Sequence, residues 1–217
     1  MNDMEALRTR HSVREYLDKP IEPEILRQLQ AIVEGVAKES GLDIQLLQDN
    51  PEAFDLVARF GLIRGCRTLI AFVAHKKDQD EAIGYWGQHI VLEAQKMGLN
   101  TCWVALFSRK KCHAVCPPGN EARVVVAVGY GATQGKPRKT KQASDIVTIE
   151  PGVDKPAWFD AAVEAALLAP TAMNRQDFHL ELSPTGDLHV DVPGTGLTNI
   201  DKGIVRRNIE VAKDAHQ

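Results

Sequence analysis

The sequence lacks the marks of several large protein classes. No apolar run approaches the length of a bilayer span; the longest, such as residues 124–128, are strand-sized. The opening Met1-Asn2-Asp3-Met4-Glu5-Ala6 has no apolar stretch of the secretory kind, so no membrane association and a cytoplasmic location are expected. No Cys-x-x-Cys pair occurs among Cys66, Cys102, Cys112 and Cys116, which argues against a disulfide framework. Cys112-His113-Ala114-Val115-Cys116 has no second ligand pair, so no metal is assigned. Strong charge of one sign is missing too: a net charge of -3 gives nucleic acid no general attraction. There is no low-complexity tract and no short-period repeat.

What is present is a globular composition. The chain has 217 residues, 44% apolar and 25% charged, which is enough to bury a real core. Apolar spacing predicts a short helix over residues 3–9 and a second beginning at Pro23, with Ile25, Leu26, Leu29, Ile32, Val33 and Val36 recurring at helical intervals. Residues 42–48 read as a strand and 51–60 as a helix. Continuous apolar runs predict buried strands at 68–74, 101–105 and 124–129, with a long helix over 82–97 stopped by Gly98. Residues 76–81 read as a charged loop. Pro151, Gly152 and Pro156 punctuate a stretch read as a joint between two parts, residues 1–148 and 149–217. An alanine-rich helix over 158–168, a hairpin over 178–192 and a last helix over 199–212 complete the chain. The order predicts an α+β fold, with helices covering a central, mostly antiparallel sheet.

Three separated segments carry polar chemistry. In Arg10-His11-Ser12-Val13-Arg14, alternate residues of an extended chain point the same way, so Arg10, Ser12 and Arg14 can present two guanidiniums and a hydroxyl to phosphate, ring carbonyl or polyol oxygens. By itself this reads as an exposed basic stretch. The second segment leaves a strand through Gly129-Tyr130-Gly131 and reaches Lys136-Pro137-Arg138. It is no Walker loop, because Pro137 follows Lys136. The third, Ala169-Pro170-Thr171-Ala172-Met173-Asn174-Arg175-Gln176, is a tight loop after a helix, and in isolation a plain connector.

Together these segments resemble the FMN-dependent nitroreductase family. The family's Arg-Arg-Ser-Ile-Arg-like opening is matched by residues 10–14, and its Gly-Leu-Gly-Thr-Cys-Trp-Ile-Gly by Gly98-Leu99-Asn100-Thr101-Cys102-Trp103-Val104-Ala105. Its Gly-Tyr strand exit and Lys-Pro-Arg are matched by Gly129-Tyr130 and Lys136-Pro137-Arg138, and its Ala-Pro-Ser-x-x-Asn-x-Gln by residues 169–176. The resemblance spans nearly the whole chain. It implies FMN held by Arg10, His11, Ser12 and Arg14, by Trp103, Val104 and Ala105, by the phosphate-binding Lys136 and Arg138, and by Pro170, Thr171, Ala172 and Asn174. It implies hydride transfer from NAD(P)H through FMN to a nitroaromatic, quinone or similar acceptor. No side chain stands out as an obligatory acid or base. Trp86, Trp103 and Tyr85 read as core aromatics.

Two positions depart from the family pattern. Ala105 replaces a glycine, putting a methyl where the family's backbone approaches the flavin ring. Asp177-Phe178 replaces Pro-Trp. These changes keep open a flavin-binding module without turnover, or a chain that has lost its flavin. The motif order also differs. The Ala-Pro-Ser-x-x-Asn motif, which follows the first long helix in the typical member, lies here near the C-terminus. This is closest to a subgroup of nitroreductases with a rearranged or duplicated half. The resemblance thus implies two pseudo-repeated halves in one chain that mimic the family dimer and form one complete FMN site, as a monomer or still as a homodimer.

Overall fold

Seven consecutive apolar or small residues with no helical face make β2, Thr68–Ala74, a strand buried along its whole length. Its neighbours are β1, Asp43–Leu47, and β4, Glu121–Gly129, and β4 in turn pairs with β3, Asn100–Val104. The order β1-β2-β4-β3 is antiparallel throughout. Ile70 faces Val126, which on its other side faces Trp103. A bulge falls between Phe72 and Val73. The two inner strands carry the continuous apolar runs because both of their faces are covered. Trp103 stacks on Phe72 with ring centroids 5.5 Å apart, packing one side of its ring on the sheet.

This computed structural model describes residues 1–55, 62–75, 77–194 and 197–216. Its helices are α1, Asp3–Thr9; α2, Pro23–Ser40; α3, Asp80–Lys96; α4, Ala143–Ile146; α5, Phe159–Leu167; and α6, Leu197–Asp214. Pro23 starts α2, Leu29, Val33 and Val36 form its buried stripe, and Gly41 ends it at φ +70° by donating its N–H to the Ala37 carbonyl. Gly98, at φ +80°, turns the chain after α3 as expected. Of the helix expected over 51–60, a 3-10 turn forms at Pro51–Phe54, and residues 56–61 lie outside the described residues. Part of the charged loop expected at 76–81 is helical: α3 begins at Asp80, after a 3-10 turn at Lys77–Gln79. Among the described residues no helix is long and apolar enough to cross a membrane.

The stretch read as a joint is structured. Strand β5, Val147–Ile149, follows α4 directly and pairs in parallel with β6, His179–Leu182, which forms the expected hairpin with β7, Leu188–Asp191. Its three residues are too few to show a period, which hid β5 from pattern reading.

The chain divides into two compact units. A terminal unit comprises Met1–Thr9, Asp80–His89 and Arg138–Gln217; a four-stranded unit comprises Arg10–Gln79 and Ile90–Pro137. This partition differs from the sequence halves 1–148 and 149–217. The four-stranded unit buries Leu69, Ala71, Val125 and Ala127 with Val13 and Phe54. In the terminal unit, α5 contributes Ala162, Ala165 and Ala166, and α6 contributes Ile204, Val205 and Ala212. There the first part of α3 meets α6 at glycines on both sides. A Cβ on Gly84 would lie 2.0 Å from the Ile200 carbonyl oxygen, and one on Gly203 would lie 2.0 Å from that of Glu81. Only hydrogen fits at either position.

Candidate functional site

In the four-stranded unit, residues 10–14 run extended beside β3. The Val13 N–H donates to the Thr101 carbonyl at 3.0 Å, and Ser12 bridges Thr101 in parallel. Further on, Arg64 donates its N–H to the Arg14 carbonyl and Tyr16 donates to that of Arg64, while the Tyr16 hydroxyl donates to the Ala127 carbonyl. The alternate positions differ in exposure: Arg10 is buried at 1%, Ser12 is half-buried and Arg14 is exposed. Beside them, Cys102 is buried. Burial pushes its thiol pKa up, while Arg14, Arg10 and a hydrogen bond with Ser12 pull it down.

The glycine-rich strand exit lies against this same segment. A Cβ on Gly135, which has φ +80°, would come 2.6 Å from the His11 Cβ. One on Gly131 would come 2.8 Å from Val13 Cγ1 and 2.5 Å from the Thr133 carbonyl oxygen. Asn100 fastens the loop: its Oδ1 accepts from the Gly131 N–H at 2.9 Å, and its Nδ2 donates to Gln134 Oε1 at 3.0 Å. Two of the segments singled out by sequence therefore pack together in this unit, with Trp103, Val104 and Ala105 on and just past β3. Lys136 is exposed at the end of the loop.

Arg138 belongs to the terminal unit, where the third segment lies. The stretch from Arg138 to Lys141 is knitted to that segment. The Arg138 guanidinium donates to the Leu168 carbonyl, Asn174 Nδ2 donates to the Lys139 carbonyl at 2.8 Å, and Lys141 Nζ donates to the Gln176 carbonyl at 2.9 Å. Gln176, 1% exposed, is the centre of this knot. Its Oε1 accepts from the Lys141 N–H, and its Nε2 donates to the Leu167 carbonyl and to Thr140 Oγ1. Burial pushes the Arg138 pKa down, and among the described residues no carboxylate lies within ion-pair distance of it.

The loop itself is strained. Met173, Asn174 and Gln176 hold φ of +54°, +55° and +50°, a region that costs a non-glycine residue roughly 1 kcal/mol or more. Local bonds impose it. Thr171 Oγ1 accepts from the Gln176 N–H, the Thr171 carbonyl accepts from the Asn174 N–H, and both carboxylate oxygens of Asp201 on α6 lie 3.0 Å from the Ala172 nitrogen. Pro170 is buried, and Asn174 Oδ1 is buried with no hydrogen-bond partner among the described residues. Burial, reinforced by Asp177, pushes the Asp201 pKa up to about 7, against the opposing pulls of the Ala172 N–H and Arg175. The Asp177 departure from the family pattern has a local reason: its carboxylate pairs with Arg175 at 2.8 Å and Lys141 at 3.6 Å. Phe178 is buried.

A family model described as "Putative TM nitroreductase" matches residues 2–213. The chain belongs to this nitroreductase family. Solved structures share its fold. A putative nitroreductase from Thermotoga maritima is 22% identical with a TM-score of 0.73, covering 100% of this chain and 85% of its own. A nitroreductase family protein from Streptococcus pneumoniae is 15% identical with a TM-score of 0.53, covering 67% of this chain and 98% of its own. A putative nitroreductase in complex with FMN from Desulfovibrio desulfuricans is 20% identical with a TM-score of 0.50, covering 66% of this chain and 94% of its own. No protein of curated function matches the chain.

Within this nitroreductase fold, three organising residues escaped sequence reasoning: Asn100, Gln176 and Asp201. Asn100 and Gln176 sit inside matched motifs, but their roles show only through partners distant in sequence. Asp201 has no motif at all; its only signal is a carboxylate on an otherwise amphipathic helix. The terminal unit also has a groove of about 520 Å³ lined by Tyr85, His189, Lys202 and Arg206 among others, and none of the residues assigned to FMN lines it. Glu81 pairs with both Lys202 and Arg206, which neutralises much of the groove's charge.

Proposed function

We propose that the protein is an FMN-dependent oxidoreductase that passes hydride from NAD(P)H to a nitroaromatic, quinone or similar acceptor, with one FMN per chain. The observation that carries this reading is one half-buried, uncompensated cation. Among the described residues Arg138 has no carboxylate partner, whereas the exposed Arg14 and Lys136 lack one as other exposed cations such as Lys38 and Lys110 do. A guanidinium that is half-buried without a counter-ion, as Arg138 is, suits an anionic ligand. Asn174 offers a second fit, because its buried Oδ1 lacks, among the described residues, a donor that a flavin ring N–H or ribityl hydroxyl would supply.

When bound, FMN supplies the hydride chemistry. The chain's own residues bind and tune. Lys136 and Arg138 would take the phosphate, and Arg10, His11 and Ser12 would hold the cofactor. Arg14 would supply positive charge that offsets the negative charge gained on reduction. Trp103, Val104 and Ala105 would line the ring's side of the site, with the Ala105 methyl where the family has a glycine. Pro170, Thr171, Ala172 and Asn174 would complete the binding set. Thr171 Oγ1 already accepts from the Gln176 N–H, so its hydroxyl is left to donate.

The test is optical and stoichiometric. Purified protein should be yellow, with absorbance at about 450 nm. Flavin counting with light scattering should give one FMN per chain. Half a flavin per chain would overturn the single-chain site, and failure of the apoprotein to take up FMN would overturn the cofactor. Oxidation of NADH or NADPH with a nitroaromatic or quinone acceptor then separates an enzyme from a flavin-binding module.

A further inference from the structure

We infer that Asp201 is a positioning residue for the loop over residues 171–176: its carboxylate holds the Ala172 N–H, and through it the left-handed turn that presents Asn174, so that loosening this hold by protonation weakens cofactor binding. The inference rests on the FMN reading for its consequence and on the terminal unit alone for its geometry.

Two facts make the contact more than a helix decoration. First, both carboxylate oxygens of Asp201 lie 3.0 Å from one nitrogen, so a single backbone N–H is shared across the whole anionic group. A hydrogen bond to an ionised acceptor is much stronger than one to a neutral acid. Second, Ala172 opens the 3-10 turn Ala172–Asn174, whose residues Met173 and Asn174 both have positive φ. Such a backbone persists only where surrounding bonds over-determine it. On the near side these bonds are Asp201 to Ala172; on the far side they are Thr171 to Gln176 and Gln176 to residues 140 and 141. Met173 is 92% exposed and contributes no packing to hold the turn.

The charge around Asp201 favours a proton that comes and goes near neutrality. Asp177, on the same loop, repels the ionised form, and Arg175 attracts it. Asp177 is itself engaged by Arg175 and Lys141. Lys202, the next residue on α6, is turned to Glu81 on α3. Burial and repulsion thus oppose the charge, and the Ala172 N–H and Arg175 support it. Above the midpoint the carboxylate grips the loop; below it, the neutral acid grips more weakly.

The experiment compares wild type with Asp201→Asn and Asp201→Glu by FMN titration of the apoprotein from pH 5.5 to 8.5, alongside hydrogen exchange at residues 172–176 without flavin. Asp201→Asn should bind FMN about tenfold more weakly than wild type at pH 8 and equally at pH 5.5. Taking the ratio of the two proteins removes the titration of the FMN phosphate itself. Asp201→Glu should restore part of the pH dependence. The Ala172 amide should be protected in wild type at high pH and lose that protection in Asp201→Asn. A ratio that is flat with pH, or an Ala172 amide equally protected in both proteins, would overturn the inference. Should wild type take up no FMN at any pH, the cofactor reading fails, and the Ala172 amide still decides whether Asp201 holds the loop.

Discussion

Gln88 on α3 donates its side-chain amide to Asn208 Oδ1 on α6 at 2.9 Å, and both residues are wholly buried. Asn208 passes the connection on, donating its own amide to the Ala165 carbonyl on α5 at 2.9 Å. One side chain therefore ties three helices inside an apolar setting, where an unmatched polar atom is costly. Replacing Asn208 with Leu removes the acceptor of this Gln88 bond and the donor to the Ala165 carbonyl, and puts an apolar side chain against both. The expected loss is about 2–4 kcal/mol of unfolding free energy, read from urea denaturation.

The same helices meet at Gly84 and Gly203. A methyl at either would sit 2.0 Å from a backbone oxygen, and backbone cannot swing aside as a side chain can. Gly203→Ala should cost roughly 3 kcal/mol or more, despite alanine's better helix propensity, with soluble yield and melting temperature falling together. Gly35, on the open side of α2, meets nothing within 4 Å and serves as the control. Gly35→Ala should be neutral or slightly stabilising by the same measurement.

Arg138 separates binding from stability. Its burial without a counter-ion among the described residues offsets its bond to the Leu168 carbonyl, so Arg138→Ala should leave the melting temperature of the apoprotein within a degree or two of wild type. With Arg138 on the FMN phosphate as proposed, the substitution should weaken FMN binding by about 10- to 100-fold. Fluorescence titration reads the second effect, and unchanged FMN affinity would remove Arg138 from the phosphate site.

Asp201 also makes a prediction about folding that is independent of flavin. Its pKa in the folded protein, about 7, lies above its ordinary value of 3.8. The stability contribution of a group shifted this way is fully present below the unfolded value and is lost as pH rises through the folded one. Wild type should therefore lose up to about 4 kcal/mol relative to Asp201→Asn between pH 4 and pH 8. Urea unfolding of the two proteins across that window checks it, and a constant difference would show that the carboxyl titrates normally.

The four thiols are free and unequally placed. Cys116 is exposed and Cys112 half-buried, whereas Cys66 and Cys102 are buried; burial pushes the Cys66 thiol up to about 12 and raises that of Cys102. A thiol-reactive probe at pH 8 should label Cys116 first and Cys112 more slowly, reaching Cys66 and Cys102 only in denaturant. Mass mapping of a time course reads the order directly.

Local pattern was enough wherever one element buries one continuous surface. The runs at 68–74 and 124–129, the stripe of α2 and the 178–192 hairpin could be read from spacing because burial on one or both faces writes itself into adjacent residues. Strand β5 could not, since three residues carry no period, and the start of α3 was masked by its charged first turn.

The residues at positions 10–14, 98–105, 129–138 and 169–176 were likewise legible as segments, because cations, glycines and a Pro-Thr-x-x-Asn loop are chemically distinctive on the page. Residue pattern alone was enough for the fold class, the family resemblance and the set of residues in question. Tertiary structure decided which of those residues meet. It set the basic loop's first part against residues 11 and 13 and tied the stretch from Arg138 to the loop at 171–176. It also buried Gln176 as that loop's anchor and brought Asp201 up to Ala172 from 29 residues away. The physical reason is that hydrogen bonds and desolvation depend on distance in space. No one-dimensional spacing records which carbonyl a buried amide will find, or which carboxylate will lose its water.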